Sequence, residues 1–276
     1  MAAPLTAPTS LQDDDGDRPG AIVPFWRRLN NFFLFPLQME PLIFLLLLSA
    51  GSYLLFLPII GRIFAVFGLA LGASRYAFKV AALASRGVLH SRDYTHALTD
   101  PDWQVLPWKF FVVLVIHTLV VGFLASRNEW LGLLGMLASS LAMPATLMVL
   151  IQSSSLRAAL NPFELLGTMA DIGAQYLLLC LFLFLLQAGF PKAVQLLLPI
   201  TPSWMLLPML VFCAVYFLWV MAALIGYVMY QHHGALDIDL LREPEDEPEV
   251  AAQRPVKTQA QLRDSEIAEL VQKGDL

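Results

Sequence analysis

Tyr176-Leu-Leu-Leu-Cys-Leu-Phe-Leu-Phe-Leu-Leu-Gln187 places Leu or Phe at nearly every position. A strand of a membrane barrel alternates polar and apolar residues, and this run does not alternate. In the hydrocarbon core of a bilayer every backbone N–H and C=O needs a partner within the protein, so an unbroken apolar run crosses as a helix. A crossing takes about 20 such residues. Working outward from this stretch, residues 41–231 contain six long apolar runs separated by short polar breaks. The expected fold is all-α: a polytopic helical membrane bundle of about six transmembrane helices with disordered N-terminal and C-terminal tails.

Composition points the same way. The 276 residues are 58% hydrophobic and only 14% charged, against about 25% charged in soluble domains. The mean hydropathy is +0.65. The net charge of −5 comes from the tails: Asp13, Asp14, Asp15 and Asp17 precede the first span, and Glu243, Glu245, Asp246, Glu247 and Glu249 follow the last. Charges beside the spans are mostly basic, and no global nucleic-acid footprint is present. Cys180 and Cys213 both fall inside spans, without the spacing of a disulfide framework or a zinc site.

Reading along the chain, residues 1–24 are rich in Ala, Pro, Thr and Asp and read as a disordered lead-in rather than a cleaved signal. Residues 25–40 form an aromatic and basic segment too short to cross. Trp26, Arg27 and Arg28 are expected in the membrane interface, facing anionic lipid. The transmembrane domain occupies 41–241, with spans near 41–60, 63–83, 108–125, 130–151, 174–189 and 205–230. Gly61 and Arg62 are expected to form the tight turn between the first two. Trp103, Trp108 and Trp130 fall near span edges, where aromatic belts belong. Residues 152–174 read as a loop followed by a partly buried helix, with Asn161 capping and Pro162 in the first turn. Residues 190–202, with Pro191, Pro199 and Pro202, read as an apolar re-entrant or surface-lying loop.

Basic residues set the orientation. Alternate connections carry Arg18, Arg27, Arg28, Arg86, Arg92, Lys109, Arg157 and Arg242 on one side, and only Arg62, Arg127 and Lys192 on the other. The bias predicts both termini in the cytoplasm, and an even number of spans, which puts both on one side, agrees with this.

Two cations stand out. Arg75 and Lys79 lie one turn apart within the second span and share a face. Such charges mark ion pairs, cavities or function, or they snorkel to the headgroups from a tilted helix. Glu164 and Asp171, seven residues apart on one helical face, are their candidate partners. Together these four form a candidate site for an anionic lipid or an ion pair. Gly68-Leu-Ala-Leu-Gly72 matches the GxxxG pattern of close helix approach, which packing within one chain also explains. His232 and His233, followed by Asp237 and Asp239, lack further ligands at sensible spacing and read as the end of a helix leaving the membrane. The serines lack a nucleophile elbow and the glycines form no phosphate loop. The expectation is a protein that is not an enzyme, with no cofactor and no bound metal.

Three segments carry a family resemblance: Arg75-Tyr76 running to Arg86-Gly87; Leu156-Arg-Ala-Ala-Leu-Asn161-Pro162 continuing to Tyr176-Leu177; and Gly226-Tyr-Val-Met-Tyr-Gln-His-His233 with Leu236. As a set they resemble a bacterial family of six-span inner-membrane proteins related to the YciC-like group. The resemblance covers residues 25–241. It implies a helical bundle in a bacterial inner membrane, with no assigned chemistry. Where the family pattern ends in leucine-glycine, this chain has Leu236-Asp237.

The tail divides into an acidic linker, 242–258, and a predicted cytoplasmic helix, 259–276, with Leu262, Ile267, Leu270 and Val271 at helical spacing. Its ending, Val271-Gln-Lys-Gly-Asp-Leu276, looks like the first helix and turn of a tetratricopeptide-type repeat. One such helix cannot bury its own apolar stripe, so the tail reads either as the start of further repeats in a longer protein or as a helix covered by a cytoplasmic protein partner, besides the membrane lipids, with a frayed cytoplasmic tail as the alternative. The leading functional expectation is a non-catalytic membrane scaffold or anchor. The alternative is a transporter or lipid-handling protein using the charges near the membrane.

Overall fold

The structure, a computed structural model, describes residues 22–91, 94 and 105–240. Of these, 86% are helical and none lies in a strand. The expected linker and helix at 242–258 and 259–276, and the lead-in up to residue 21, lie outside the described residues.

Six helices are long and apolar enough to cross a membrane: Met39–Phe56, Ile59–Ser85, Leu106–Arg127, Glu129–Ser153, Ala174–Ile200 and Ser203–Gln231. The chain is a polytopic helical membrane bundle, as the apolar runs required. Its α-helices are α1 (Leu29–Leu34), α2 (Met39–Gly51), α3 (Ile59–Ser85), α4 (Leu106–Arg127), α5 (Glu129–Ser153), α6 (Leu156–Leu160), α7 (Pro162–Ile172), α8 (Ala174–Leu197) and α9 (Leu206–Gln231). α9 is the hub, packing on α3, α8 and α2, while α4 and α5 pair with each other as a hairpin.

The α3–α9 seam is the core. Trp219 is fully buried, packs at a tilt against the Tyr76 ring with centroids 4.4 Å apart, and donates its indole N–H to the carbonyl of Ala73 at 3.0 Å. Nearer the helix ends, Gly226 lies so close to α3 that a Cβ there would stand 2.5 Å from the Ala81 carbonyl oxygen. The Gly68–Gly72 match is not the tight seam: nothing lies within 4 Å of a Cβ at Gly68, and one at Gly72 would meet Leu48 of the same chain.

Two boundaries differ from the sequence reading. The first two spans are separated at Leu57-Pro58, both with extended ψ, and not at Gly61-Arg62. Pro58 has no N–H to continue the first helix and disfavours a helical residue before it. Gly61 and Arg62 instead lie in the first turn of α3, where the Arg62 guanidinium caps the Leu55 carbonyl at 3.0 Å. The stretch expected as a loop at 190–202 continues α8 through Pro191 to Leu197 and then forms a 3-10 turn, Leu198–Ile200. Proline costs that helix one hydrogen bond, but ending it in hydrocarbon would orphan several. Residues 25–40, expected as an interfacial segment, are held against the last span. Phe25–Arg27, α1 and Phe35–Leu37 run along α9: the Phe25 N–H reaches Gln231 at 3.1 Å, Tyr227 donates to the Val23 carbonyl, and Tyr216 donates to the Phe33 carbonyl, the last two at 2.7 Å. Phe25, Phe32 and Phe35 are buried, whereas Trp26 is exposed.

Candidate functional site

Side-chain bonds collect at one end of the bundle, where α3, α5 and α9 finish and α2, α4 and α8 begin. Lys79 of α3 meets Glu40 of α2 at 3.4 Å. Gln38 accepts from the Ser91 N–H at 3.0 Å. Lys109 of α4 donates to the Ser154 carbonyl beyond α5 at 2.6 Å. Gln152 donates to the Leu236 carbonyl at 3.0 Å, and His232 pairs with Gln175 of α8 at 3.0 Å. Every long span thus contributes to one polar rim. The opposite end carries the short connections at Leu57-Pro58, Asn128 and Thr201-Pro202.

Lys79 makes the rim's one ion pair among the described residues. Its ammonium lies 5.3 Å from the centroid of the Tyr94 ring and 5.9 Å from that of Tyr76, within range of a cation–π attraction. Glu40, in the first turn of α2, also faces the positive end of that helix dipole. Tyr94 is almost wholly buried. Burial first, then the nearby Tyr76 and Glu40, push its phenol well above the usual value, so it stays neutral. The Tyr76 hydroxyl is buried and has no hydrogen-bond partner among the described residues.

The four charges singled out in the sequence do not converge. Lys79 pairs with Glu40 rather than with Glu164 or Asp171. Glu164 and Asp171 do share a face of α7, but it is the exposed one. Leu165, Thr168 and Ile172 form the buried face, and α7 packs on α5 and α8. Arg75 is exposed on α3. Glu40 went unnoticed in the sequence because it precedes Pro41 at the edge of a segment read as interfacial. It is nevertheless the only carboxylate in residues 22–91, and a lone acid at a span's entrance asks for a cation.

Asn161 behaves as its type and position predict. Its side chain accepts from the Phe163 N–H at 3.1 Å, and Pro162 opens α7. Trp108 and Trp130, also anticipated, are exposed at the starts of α4 and α5 and fit an aromatic belt. One polar device was not anticipated. Tyr176 of α8 inserts its hydroxyl into α5, accepting from the Ala145 N–H at 3.1 Å and donating to the Leu141 carbonyl. These two groups would otherwise pair with each other, one residue beyond Pro144. The chemistry available at the rim is charge pairing and hydrogen bonding between spans. Among the described residues no His, Cys, Asp and Glu side chains gather into a group that could hold a metal.

The chain matches no family model, no curated protein and no solved structure.

Proposed function

We propose that this protein is a non-catalytic membrane scaffold, anchoring cytoplasmic partners to a bacterial inner membrane. The observation that carries the reading is the polar rim. Side-chain bonds there tie α2 to α3, and α4, α5, α8 and α9 to one another, while Trp219 and Tyr76 fill the seam between α3 and α9. That distribution suits a rigid platform with one elaborated end. The basic excess at the same end argues for placing it in the cytoplasm with both termini. The resemblance to the YciC-like group supplies the bacterial inner membrane. The helix expected at 259–276 would be the arm that takes a protein partner.

Transport or lipid handling through Arg75, Lys79, Glu164 and Asp171 has less support, because those side chains are divided between α3 and the outer face of α7. The test is crosslinking in intact membranes followed by purification, comparing the full chain with one ending at Glu249. Partners recovered with the full chain and lost on truncation are the expected result. Recovery of the same set from both, or of none from either, overturns the anchoring role of the tail.

A further inference from the structure

A groove of about 330 Å³ lies between α1 and the α8–α9 pair, within the size range of ordinary ligand sites. Its walls include Phe32, Phe182, Leu186, Gly189, Phe217 and Leu224, and no charged or hydrogen-bonding side chain lines it. Water would find no partners there. An unfilled space would also deprive the wall atoms of dispersion contacts on one side. Hydrocarbon is the filling such walls favour. Gly189 keeps the lower part wide: a Cβ at that position would already be in contact with the Phe217 ring, at 3.6 Å.

The groove has a direction. From Leu224 to Phe217 it follows α9 for about 10 Å, at about 1.5 Å per residue, away from the polar rim. Arg27 stands near the rim end. Two residues before it, Phe25 packs edge-on against the groove residue Phe182, with ring centroids 5.7 Å apart. Two residues after it, Leu29 lines the groove. Arg27 is itself exposed, as is the neighbouring Trp26. A cation at the rim end with an apolar channel below it matches one class of molecule in charge and in shape.

We propose that this groove binds one anionic phospholipid, with an acyl chain between α1 and the α8–α9 pair and its phosphate at Arg27. The site is separate from the Lys79–Glu40 pair and does not depend on the scaffold reading. Guanidinium and phosphate make a charge-assisted contact that a zwitterionic headgroup, carrying its own cation, answers less well.

The test uses the purified full chain in mild detergent, with lipid retention read by native mass spectrometry. Phosphatidylglycerol and phosphatidylcholine with the same acyl chains are the probes. One phosphatidylglycerol per chain is expected, held at least tenfold more tightly than phosphatidylcholine. Arg27→Gln should remove that preference, and Lys192→Gln, a cation on the deep side, should not. Gly189→Leu should weaken both lipids about tenfold by filling the channel. Leu185→Trp, at an exposed position on the groove wall, repeats that measurement should Gly189→Leu fail to fold. Equal retention of both lipids, unchanged by Arg27→Gln and by the filling substitution, would mean nonspecific surrounding lipid and overturn the proposal.

Discussion

Lys79 and Glu40 are each about a third exposed, at 31% and 29%, so their attraction is worth about 1 kcal/mol rather than the larger sums of a deeply buried pair. Glu40→Gln or Lys79→Met should therefore lower the melting temperature of the detergent-solubilised protein by about 2–4 °C. The exchanged pair Glu40→Lys with Lys79→Glu should recover only part of this, because the new lysine faces the positive end of α2. His232 supplies a pH dependence. Burial lowers its pKa below the usual 6.5, so the unfolded chain binds a proton that the folded one resists. Stability contributed by neutral His232 is complete above that unfolded value and is lost as pH falls through it towards the lower folded value. His232→Gln, which keeps a hydrogen-bonding group near Gln175, should flatten the fall in melting temperature between pH 7.5 and pH 5.

Between elements, close approach decides more than composition does. Gly226→Ala pushes a methyl group against the Ala81 carbonyl, which is backbone and cannot rotate away. A loss of about 1–3 kcal/mol is expected, measurable as a lower melting temperature. Gly68→Ala, with open space around it, should leave stability unchanged within about 0.5 kcal/mol. Tyr176→Phe removes the hydroxyl that bridges α8 to α5, at a cost of about 1 kcal/mol. The six spans were legible in the sequence because hydrocarbon demands length and continuity, which a list of residues displays directly. The break at Pro58 and the helical course of Phe190–Leu197 were not. Both depend on weighing a proline against its surroundings, and Pro58 and Pro191 fall on opposite sides of that balance. Glycines posed the same difficulty, since Gly226 and Gly68 differ only in what another helix brings near them. The candidate charges were found, but their pairing was not, because α2 had to be laid beside α3 before Glu40 came within reach of Lys79.

At the scale of the whole molecule, the rim and the basic excess lie at the same end, which gives the proposed orientation a direct check. In a background where Cys180 and Cys213 are replaced, a cysteine at Asn128 should react with an impermeant maleimide added outside intact cells. One at Gly234 should react only after lysis. The reverse pattern would place the rim outside. The contacts of Phe25 carry a further consequence. Its N–H bonds to Gln231, 206 residues later in the sequence, and Tyr227 and Tyr216 hold the same segment from the last span. A ribosome adding about 5–20 residues per second takes roughly 10–40 s to cover that distance. During that interval Phe25, Phe32 and Phe35 have been made but the helix that shelters them has not. The newborn chain must therefore shield three aromatic rings by other means, with bilayer lipid or an insertion factor, until the final helix emerges and the first segment clasps it.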